Sequence, residues 1–445
     1  MKENPASCKF FARVVLSKNL RHKTNNTKQT RITMASKQEE KKQEENPITV
    51  TIVGGGNSAH VLIPFLSETH HAVNLLTRRV NDWEKIVKCE LHDFDEGVIR
   101  VWEGTMNKIS SKPADVIPDA DIIILCMPVH TYRIALHNLA PHINRTKEVF
   151  VGTVYGQAGF NWMAHEMERE HNLTNTVTFS IGLIPWICRI SKYGSVAFNY
   201  GGKQVNIAAV FPYERFDRLN EIFFNDISYV PLGMGKFVQA CSFISLTLSV
   251  DNQIVHPGRC YGLWERYDGK WKSTDDVPYF YRDFDEISAE CMKRLDSDYT
   301  TVRNAIRKHF PERPFKYMLD YLELERLSHK SVNFDIKASL ADSKQLAMIK
   351  TPVKRMVDGT YMIDTDCRFF TDDFPYGILL TKWIADQLGE EVPFIDELIT
   401  WVQEIRGDKF LTVDNKIDTN TCLDGKYTTG IPPSYGISSV EDILD

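Results

Sequence analysis

The sequence predicts an α/β protein in which a doubly wound parallel sheet is followed by an all-helical domain. Three observations carry this prediction. An apolar, β-branched segment ends in the triplet Gly54-Gly55-Gly56, and a segment of helical character follows at once. Short apolar stretches of strand character alternate with helical stretches as far as about residue 230. Beyond that residue the apolar positions recur at helical spacing, so the second half of the chain should be helical.

The glycine turn has the G-x-G-x-x-A spacing at Gly54, Gly56 and Ala59. Gly54 permits a sharp exit from the strand, and Gly56 lets the backbone approach a pyrophosphate without a Cβ in the way. Ala59 keeps the helix close to the strand, so that free N–H groups at the helix start face the phosphates. The alternative is a glycine-rich turn that binds no ligand. The position of this turn between a strand and a helix favours a Rossmann dinucleotide-binding domain. We expect the cofactor to be bound by Gly54, Gly55, Gly56, Asn57, Ser58, Ala59, Arg78 and Pro128.

The apolar pattern places the remaining elements in two halves. Predicted strands cover residues 48–53, 71–77, 121–128, 148–153, 176–181 and 205–211. One predicted helix has Phe284, Ile287, Cys291 and Leu295 on a single face. Further predicted helices cover residues 317–327, 376–388 and 393–405. We therefore divide the chain into a Rossmann domain over 48–230 and a helical substrate domain over 231–445. The cleft between two such domains is the usual place for a small substrate.

Composition limits the possible partners. The chain has 445 residues, of which 43% are hydrophobic and 25% charged, and its net charge of −6 gives no reason to expect nucleic acid or an anionic membrane. No segment reaches the ~18 uninterrupted apolar residues of a membrane span. Nine cysteines are scattered singly without C-x-x-C pairs, which argues against a metal site or disulfides and favours the cytoplasm.

Residues 1–47 differ from the rest of the chain. Residues 1–33 carry eight Lys or Arg against one acid, with little apolar periodicity. They fit a disordered tail, sequence upstream of a start at Met34, or a mitochondrial targeting segment. The sequence does not decide whether translation starts at Met1 or Met34.

Two later stretches have polar residues in an apolar setting. Pro257 and Gly258 are expected to end a helical segment and to set His256 on a rigid turn beside the cleft, although a structural histidine is the alternative. Arg368 can hold a carboxylate in a two-pronged grip. Asp372 and Asp373 can orient a histidine or cap the helix that follows them.

Two further stretches are expected to form loops at the carboxyl edge of the sheet, beside a bound nicotinamide. They are Gly156-Gln157-Ala158-Gly159 and the segment 183–189, which contains Cys188. We interpret Cys188 as a packed neutral thiol rather than a nucleophile.

Together these motifs resemble the octopine/opine dehydrogenase family over residues 48–445. The matching segments are GGGNSA at Gly54, a Pro and a Tyr within 127–132, G-Q-x-G at Gly156, P-W-x-C-R at Pro185, H-P-G-x-x-Y-G at His256, R-x-x-T-D-D-x-P-Y-G at Arg368 and G-I-P-P-S-Y-G-I at Gly430. The resemblance implies a Rossmann domain followed by an all-helical domain. It also implies reductive condensation of an amino acid with pyruvate or another 2-oxo acid, which regenerates NAD⁺ in anaerobic glycolysis.

The resemblance also implies roles for particular residues. His256 and Asp373 would form a catalytic pair, and Arg368 would bind the carboxylate of the 2-oxo acid. Gln157 and Cys188 would line the substrate pocket near the nicotinamide. A protonated His256 can polarise a carbonyl oxygen, and Asp373 would orient the imidazole and raise its pKa. We expect a monomer or a small homo-oligomer.

The cofactor and the amine are less sharply defined. About 20 residues after the first glycine, an NAD-binding domain usually has an acid for the ribose 2′-OH, but here the strand ends in Arg78 and Arg79. An arginine there suits the 2′-phosphate of NADP, whereas animal members of the family generally use NADH, so we expect NAD with NADP possible. The amine could be Ala, Gly, β-Ala, taurine or Arg. An acidic pocket would favour Arg, and its candidates are Asp251, Asp283 and Asp285.

Two other functions remain as alternatives. One is an NADP-dependent hydroxy-acid or 6-phosphogluconate-type dehydrogenase that shares the fold, for which a catalytic Lys would be expected in the helical domain. The other is a dinucleotide-sensing protein without turnover. Such a protein would need the glycine turn but not His256, Arg368 and Asp373.

Overall fold

The computed structural model describes residues 47–69, 71–93, 95–228, 235–329, 331, 333, 335–341, 343, 346–423 and 429–444. The predicted tail over residues 1–47 therefore lies outside the described residues, apart from its last position. Residues Ile48–Asp445 form one compact unit.

The described residues contain fifteen strands. They are β1 (Thr49–Val53), β2 (Ala72–Leu76), β3 (Ile86–Asp93), β4 (Gly97–Thr105), β5 (Lys108–Ser110), β6 (Ile122–Leu125), β7 (Val149–Thr153), β8 (Thr176–Ile181), β9 (Trp186–Lys192), β10 (Val196–Gly202), β11 (Val205–Phe211), β12 (Lys236–Gln239), β13 (Lys270–Trp271), β14 (Val353–Arg355) and β15 (Tyr361–Ile363). All six predicted strands are present.

The main sheet has eight strands in the order β12-β11-β8-β7-β6-β1-β2-β5. The six strands from β8 to β5 are parallel, and β11 is antiparallel to β8. The order of these six strands is that of a dinucleotide-binding sheet, with the reversal of strand order between β1 and β6. Strand β6 is buried at every position, as its unbroken apolar sequence predicts. The predicted α/β class is confirmed.

A second sheet, β4-β3-β10-β9, was not predicted. It packs against the helix Asn57–Glu68, and the contact is close enough that a Cβ on Gly104 would lie 2.6 Å from the Cα of Pro64. Its strand β9 contains Trp186 and Cys188, so the prediction of a loop over 183–189 is wrong for its second part. The segment pairs with β10 instead of remaining at the edge of the main sheet.

The described α-helices extend through both halves of the chain. They are Asn57–Glu68, Pro113–Val116, Tyr132–Leu139, Phe160–His171, Phe216–Leu219, Asn225–Ile227, Ile244–Leu248, Asn252–Tyr267, Glu286–His309, Tyr321–His329, Ile336–Ala341, Arg368–Thr371, Leu379–Leu388, Pro393–Arg406 and Thr419–Leu423, with π-helical segments Asn220–Phe224 and Phe374–Ile378.

The second half is mostly helical rather than all-helical, because β13, β15 and β14 form a small sheet there. These strands are only two or three residues long, too short to show a period of two. The boundary drawn at residue 230 stays a prediction. Strand β12 lies beyond that residue and still pairs with β11 in the main sheet.

His256, Pro257 and Gly258 lie inside the helix Asn252–Tyr267, so the prediction of a rigid turn at these residues is wrong. The glycines serve packing instead. A Cβ on Gly258 would lie 2.8 Å from Cγ of Met292, and one on Gly262 would lie 2.6 Å from Cα of Ser288. Both contacts are with the helix Glu286–His309, which thereby approaches the His256 helix closely.

This packing predicts different costs for alanine at the two glycines. Gly262→Ala should lower the free energy of unfolding by about 1–3 kcal/mol, because the new methyl meets the backbone of Ser288. Gly258→Ala should cost less, because the nearest backbone atoms of Met292 would lie 3.2 Å from the new methyl, whereas Cα of Ser288 would lie 2.6 Å from the methyl at position 262. Urea unfolding of both variants measures the difference. Equal stability of Gly262→Ala and the parent protein would contradict the close helix contact.

Candidate active site

The centre of the candidate site is a buried pair of His256 and Asp373. His256 has no exposed surface, and Asp373 is 6% exposed. Nδ1 of His256 lies 2.7 Å from Oδ2 of Asp373. A carboxylate only accepts hydrogen bonds, so Nδ1 carries the proton and Nε2 is the nitrogen left for chemistry. The two residues are 117 positions apart in the chain, and the fold brings them together as predicted.

Aromatic side chains enclose the rest of the imidazole. Nε2 of His256 lies 3.0 Å from the hydroxyl of Tyr281. The ring of Phe369 stacks on the imidazole at a centroid distance of 3.8 Å, and Phe280 contacts it edge-on at 5.7 Å. Tyr281 was not among the predicted site residues. It lies outside the helices, in a segment without hydrophobic periodicity, and no motif in the sequence singles it out.

Burial lowers the pKa of His256 below its ordinary value. The charge and the hydrogen bond of Asp373 raise this pKa, while the nearby charge of Arg368 lowers it. Asp373 therefore raises the pKa of His256, as predicted. The lowering by burial is larger, however, so the net shift of this pKa is downward. The neutral imidazole is therefore favoured more strongly than in a solvated histidine, and Asp373 offsets part of this effect by stabilising the protonated form.

The adjacent acid Asp372 has a different partner. Its Oδ1 lies 2.6 Å from Nδ1 of His130, in the loop after β6. Strand β6 borders the reversal of strand order, and the loop after it lies at the carboxyl edge of the sheet. The Asp372–His130 contact thus joins the segment that carries Asp373 to the residues after β6, beside the crevice in which such sheets bind dinucleotides.

Arg368 supplies a cation at the same place. It begins the short helix Arg368–Thr371, directly before the Phe369 that stacks on His256, and its side chain is exposed. Within the described part of the chain, no ion pair to Arg368 is formed. An exposed guanidinium next to a buried acid/base pair is a suitable anchor for a carboxylate.

Gln157 and Cys188 are both buried, but in different places: Gln157 contacts the start of the His256 helix, whereas Cys188 lies in β9 of the second sheet. The amide of Gln157 donates from Nε2 to the backbone oxygen of Ser249 at 2.8 Å, and the backbone oxygen of Gln157 accepts from Gln253 at 2.9 Å. Oε1 of Gln157 has no partner within the described residues. Burial raises the pKa of the Cys188 thiol to about 12, which makes it a neutral thiol and agrees with the sequence interpretation.

The glycine turn has the geometry expected of a phosphate-binding loop. Gly54 has a φ of +100°, and a Cβ there would lie 2.6 Å from the backbone oxygen of Cys126 at the end of β6. The helix Asn57–Glu68 begins with Gly56 as N-cap, without a side-chain cap and without an acid in its first turn. Its first N–H groups are therefore available to an anion.

The other predicted cofactor residues divide into two groups. Ser58 and Ala59 are buried in the helix, and the Asn57 side chain accepts a hydrogen bond from the Ile190 backbone at 2.8 Å. Arg78 and Pro128 are exposed, Pro128 in the loop after β6. Arg78 lines an open pocket of about 550 Å³ at the ends of β2 and β5, together with Arg79, Asp82, Ser110 and Ser111.

None of the described helices is long and apolar enough to cross a membrane. In the same residues, no three His, Cys, Asp or Glu side chains are grouped so that they could hold a metal ion.

Comparison with known proteins supports the resemblance stated above. Residues 239–406 match the family described as NAD/NADP octopine/nopaline dehydrogenase, alpha-helical domain. An opine dehydrogenase of Haliotis discus hannai is 27% identical over 424 residues, covering 89% of this chain and 98% of the relative. An octopine dehydrogenase of Mizuhopecten yessoensis is 27% identical over 415 residues, with the same coverage. The structure of an octopine dehydrogenase with NADH and pyruvate has a TM-score of 0.72 at 22% identity, covering 89% of this chain and 97% of the other, which establishes the fold.

The geometry of the pair predicts how the pKa of His256 responds to its neighbours. Asp373→Asn should lower this pKa further, because the variant loses the negative charge that raises it. Titration of the imidazole signals by NMR measures the change. Asp372→Asn is the matched control, since Asp372 bonds His130 and should leave the pKa of His256 near its original value. An unchanged pKa of His256 in Asp373→Asn would contradict the pairing.

Proposed function

With the resemblance to the octopine/opine dehydrogenase family confirmed, we propose that this protein is an NAD(H)-dependent oxidoreductase that forms opines. It condenses the amine of an amino acid with the carbonyl of a 2-oxo acid, pyruvate in the first instance, and reduces the resulting imine. The observation that carries the proposal is the buried His256–Asp373 pair beside an exposed Arg368. These are the groups that imine formation requires, because a proton must move twice and a carboxylate must be held.

The proton steps balance around His256. The incoming amine is an ammonium ion and must lose a proton before it attacks the carbonyl carbon. Neutral His256 accepts that proton. After the amine attacks, a second proton moves from its nitrogen to the former carbonyl oxygen. The imidazolium then gives its proton to the resulting hydroxyl, which leaves as water and gives an iminium ion. Asp373 stabilises the imidazolium between the two steps and holds Nδ1 in the protonated tautomer.

Arg368 positions the 2-oxo acid. A two-pronged contact with the carboxylate fixes the adjacent carbonyl carbon in one orientation. Gln157 and Cys188 line the pocket in this proposal, with the unpaired Oε1 of Gln157 as an acceptor for the amine. The glycine turn and the free start of the helix Asn57–Glu68 hold the pyrophosphate of the dinucleotide. When bound, NADH supplies the hydride.

The amine remains to be identified by experiment. Two of the three acids considered as partners of a cationic side chain are already engaged. Asp283 pairs with Arg282, and Asp285 caps the helix Glu286–His309 and pairs with Arg259. Asp251 caps the His256 helix, and its negative charge acts on His256. Of these three acids, Asp251 is the one whose charge acts on His256, and we therefore propose it as the contact for a bound amine.

We extend the proposal to the setting of the reaction. The eight described cysteines are all free, as in proteins of reducing compartments. A cytoplasmic enzyme that works as a monomer or small homo-oligomer would draw pyruvate from glycolysis and return NAD⁺ to it.

The function is tested by NADH oxidation with pyruvate and a panel of amino acids. His256→Gln should reduce kcat by about 10²–10⁴-fold while NADH binding is retained, because the glycine turn is elsewhere in the fold. Arg368→Ala should mainly raise KM for pyruvate. His142→Gln and Arg218→Ala, which alter the same residue types away from the site, serve as controls. Near-normal kcat in His256→Gln would show that another group is the acid/base.

Cofactor choice is tested at Arg78. We expect a lower KM for NADH than for NADPH, as in animal members of the family. A preference for NADPH that is lost in Arg78→Ala would contradict this expectation and would assign the pocket at the ends of β2 and β5 to a 2′-phosphate. Arg218→Ala again serves as the control.

A further inference from the structure

Every side of the catalytic imidazole is covered by protein. Asp373 occupies Nδ1 and Phe369 covers one face of the ring. Nε2, the nitrogen that must exchange protons with the substrate, is occupied by the hydroxyl of Tyr281 at 3.0 Å. His256 has no exposed surface, whereas Tyr281 is 8% exposed. Among the described residues, the Tyr281 hydroxyl is thus the hydrogen-bond partner of Nε2.

The segment that carries Tyr281 is fixed to the His256 helix. Arg259, three residues after His256, is fully buried. Its guanidinium donates to the backbone oxygen of Phe280 at 3.0 Å, to that of Asp283 at 2.8 Å and to Oγ of Ser288 at 2.8 Å. These bonds hold the residues on both sides of Tyr281. The hydroxyl is thus set against Nε2 by the same helix that presents the histidine, and it is not a mobile surface group.

We propose that the Tyr281 hydroxyl is the group that touches the reacting oxygen and nitrogen of the substrate, and that it relays protons between them and Nε2 of His256. The inference rests on the proposed function and adds a catalytic residue to it. A phenol suits this task because its oxygen accepts one hydrogen bond while its hydrogen donates another. Burial raises the pKa of Tyr281, and the charge of Arg368 acts in the opposite direction. The group is a neutral phenol at physiological pH.

The relay conserves protons at each step. When the ammonium group is deprotonated, its proton passes to the Tyr281 oxygen as the phenolic proton passes to Nε2, which gives imidazolium. After the amine attacks, the Tyr281 hydroxyl accepts a proton from the nitrogen and donates its own to the former carbonyl oxygen, which gives the carbinolamine. When the carbinolamine loses water, the phenolic proton goes to the leaving hydroxyl and the imidazolium proton replaces it. Tyr281 ends each step as the phenol, and His256 is neutral again once the iminium ion has formed. No oxidant or reductant enters until the hydride arrives.

Tyr281→Phe tests the relay, because it keeps the ring that packs against Phe280 and removes only the hydroxyl. Tyr279→Phe, two residues earlier in the same segment, is the matched control. Rates are expressed per NADH-binding site, so that misfolded protein does not count. We expect kcat in Tyr281→Phe to fall by about 10²-fold, within the range for loss of general acid–base catalysis. KM for pyruvate and NADH affinity should stay near those of the parent protein.

The two proposals fail in different ways. Suppose that the parent protein is active and that His256→Gln lowers its kcat. If Tyr281→Phe then has the same kcat as Tyr279→Phe, the relay is overturned and the opine-forming function is left intact. A parent protein that binds NADH but turns over no amino acid with pyruvate would overturn the proposed function, and the relay with it. A loss confined to KM for pyruvate would place Tyr281 in binding and would also overturn the relay.

Discussion

The enclosure of His256 beside Asp373 is the constraint on which the rest of the site depends. A buried imidazole is held in its neutral form by the cost of desolvation, while the carboxylate at 2.7 Å keeps the charged form accessible. The balance between these effects permits one group to take up and release a proton. Removing the enclosure would leave an ordinary solvated histidine, and removing the carboxylate would leave one that is hard to protonate.

The fold supplies this enclosure through close backbone contacts. Gly258 and Gly262 bring the helix Glu286–His309 against the His256 helix. Gly377 lies in the π-helical segment that follows Asp373, and a Cβ there would lie 2.6 Å from Cγ of Gln253. Gln253 in turn bonds the backbone of Gln157, in the loop after β7. The loop after β7 and the helical half are thus joined beside the site through Gln253.

Much of the fold could be predicted because its elements have a strong pattern. The six predicted strands were apolar runs bounded by turn residues, and the helix Glu286–His309 was visible from the spacing of Ile287, Cys291 and Leu295. The second sheet was missed although β3 alternates Val87, Cys89 and Leu91 with polar residues. Its partner β4 obscures the pattern, because its apolar residues Val98, Ile99 and Val101 are exposed.

The candidate site was predictable to the extent that its residues lie in short motifs. His256, Arg368 and Asp373 are in two motifs of ten residues or fewer, and the fold brings His256 and Asp373 together. The sequence predicts that Pro257 and Gly258 end a helix, and the structure contradicts this. Pro257 is the sixth residue of its helix and costs a backbone hydrogen bond there, so packing rather than local preference keeps the helix continuous. The packing of Gly258 depends on a neighbouring helix that the sequence does not show. Tyr281 reaches the site only through the buried contacts of Arg259, which carry no sequence pattern.

In the proposed reaction, a substrate amine and a 2-oxo acid condense to an imine at this site, and hydride transfer then reduces the imine. The most direct measurement uses NADH with deuterium at the transferable position, pyruvate and the best amino acid of the panel, followed by mass spectrometry of the products. We predict an N-(1-carboxyethyl) amino acid with a single deuterium on the former carbonyl carbon of pyruvate. Deuterium found in lactate, whether or not an amino acid is present, would contradict it and would make the protein a hydroxy-acid dehydrogenase.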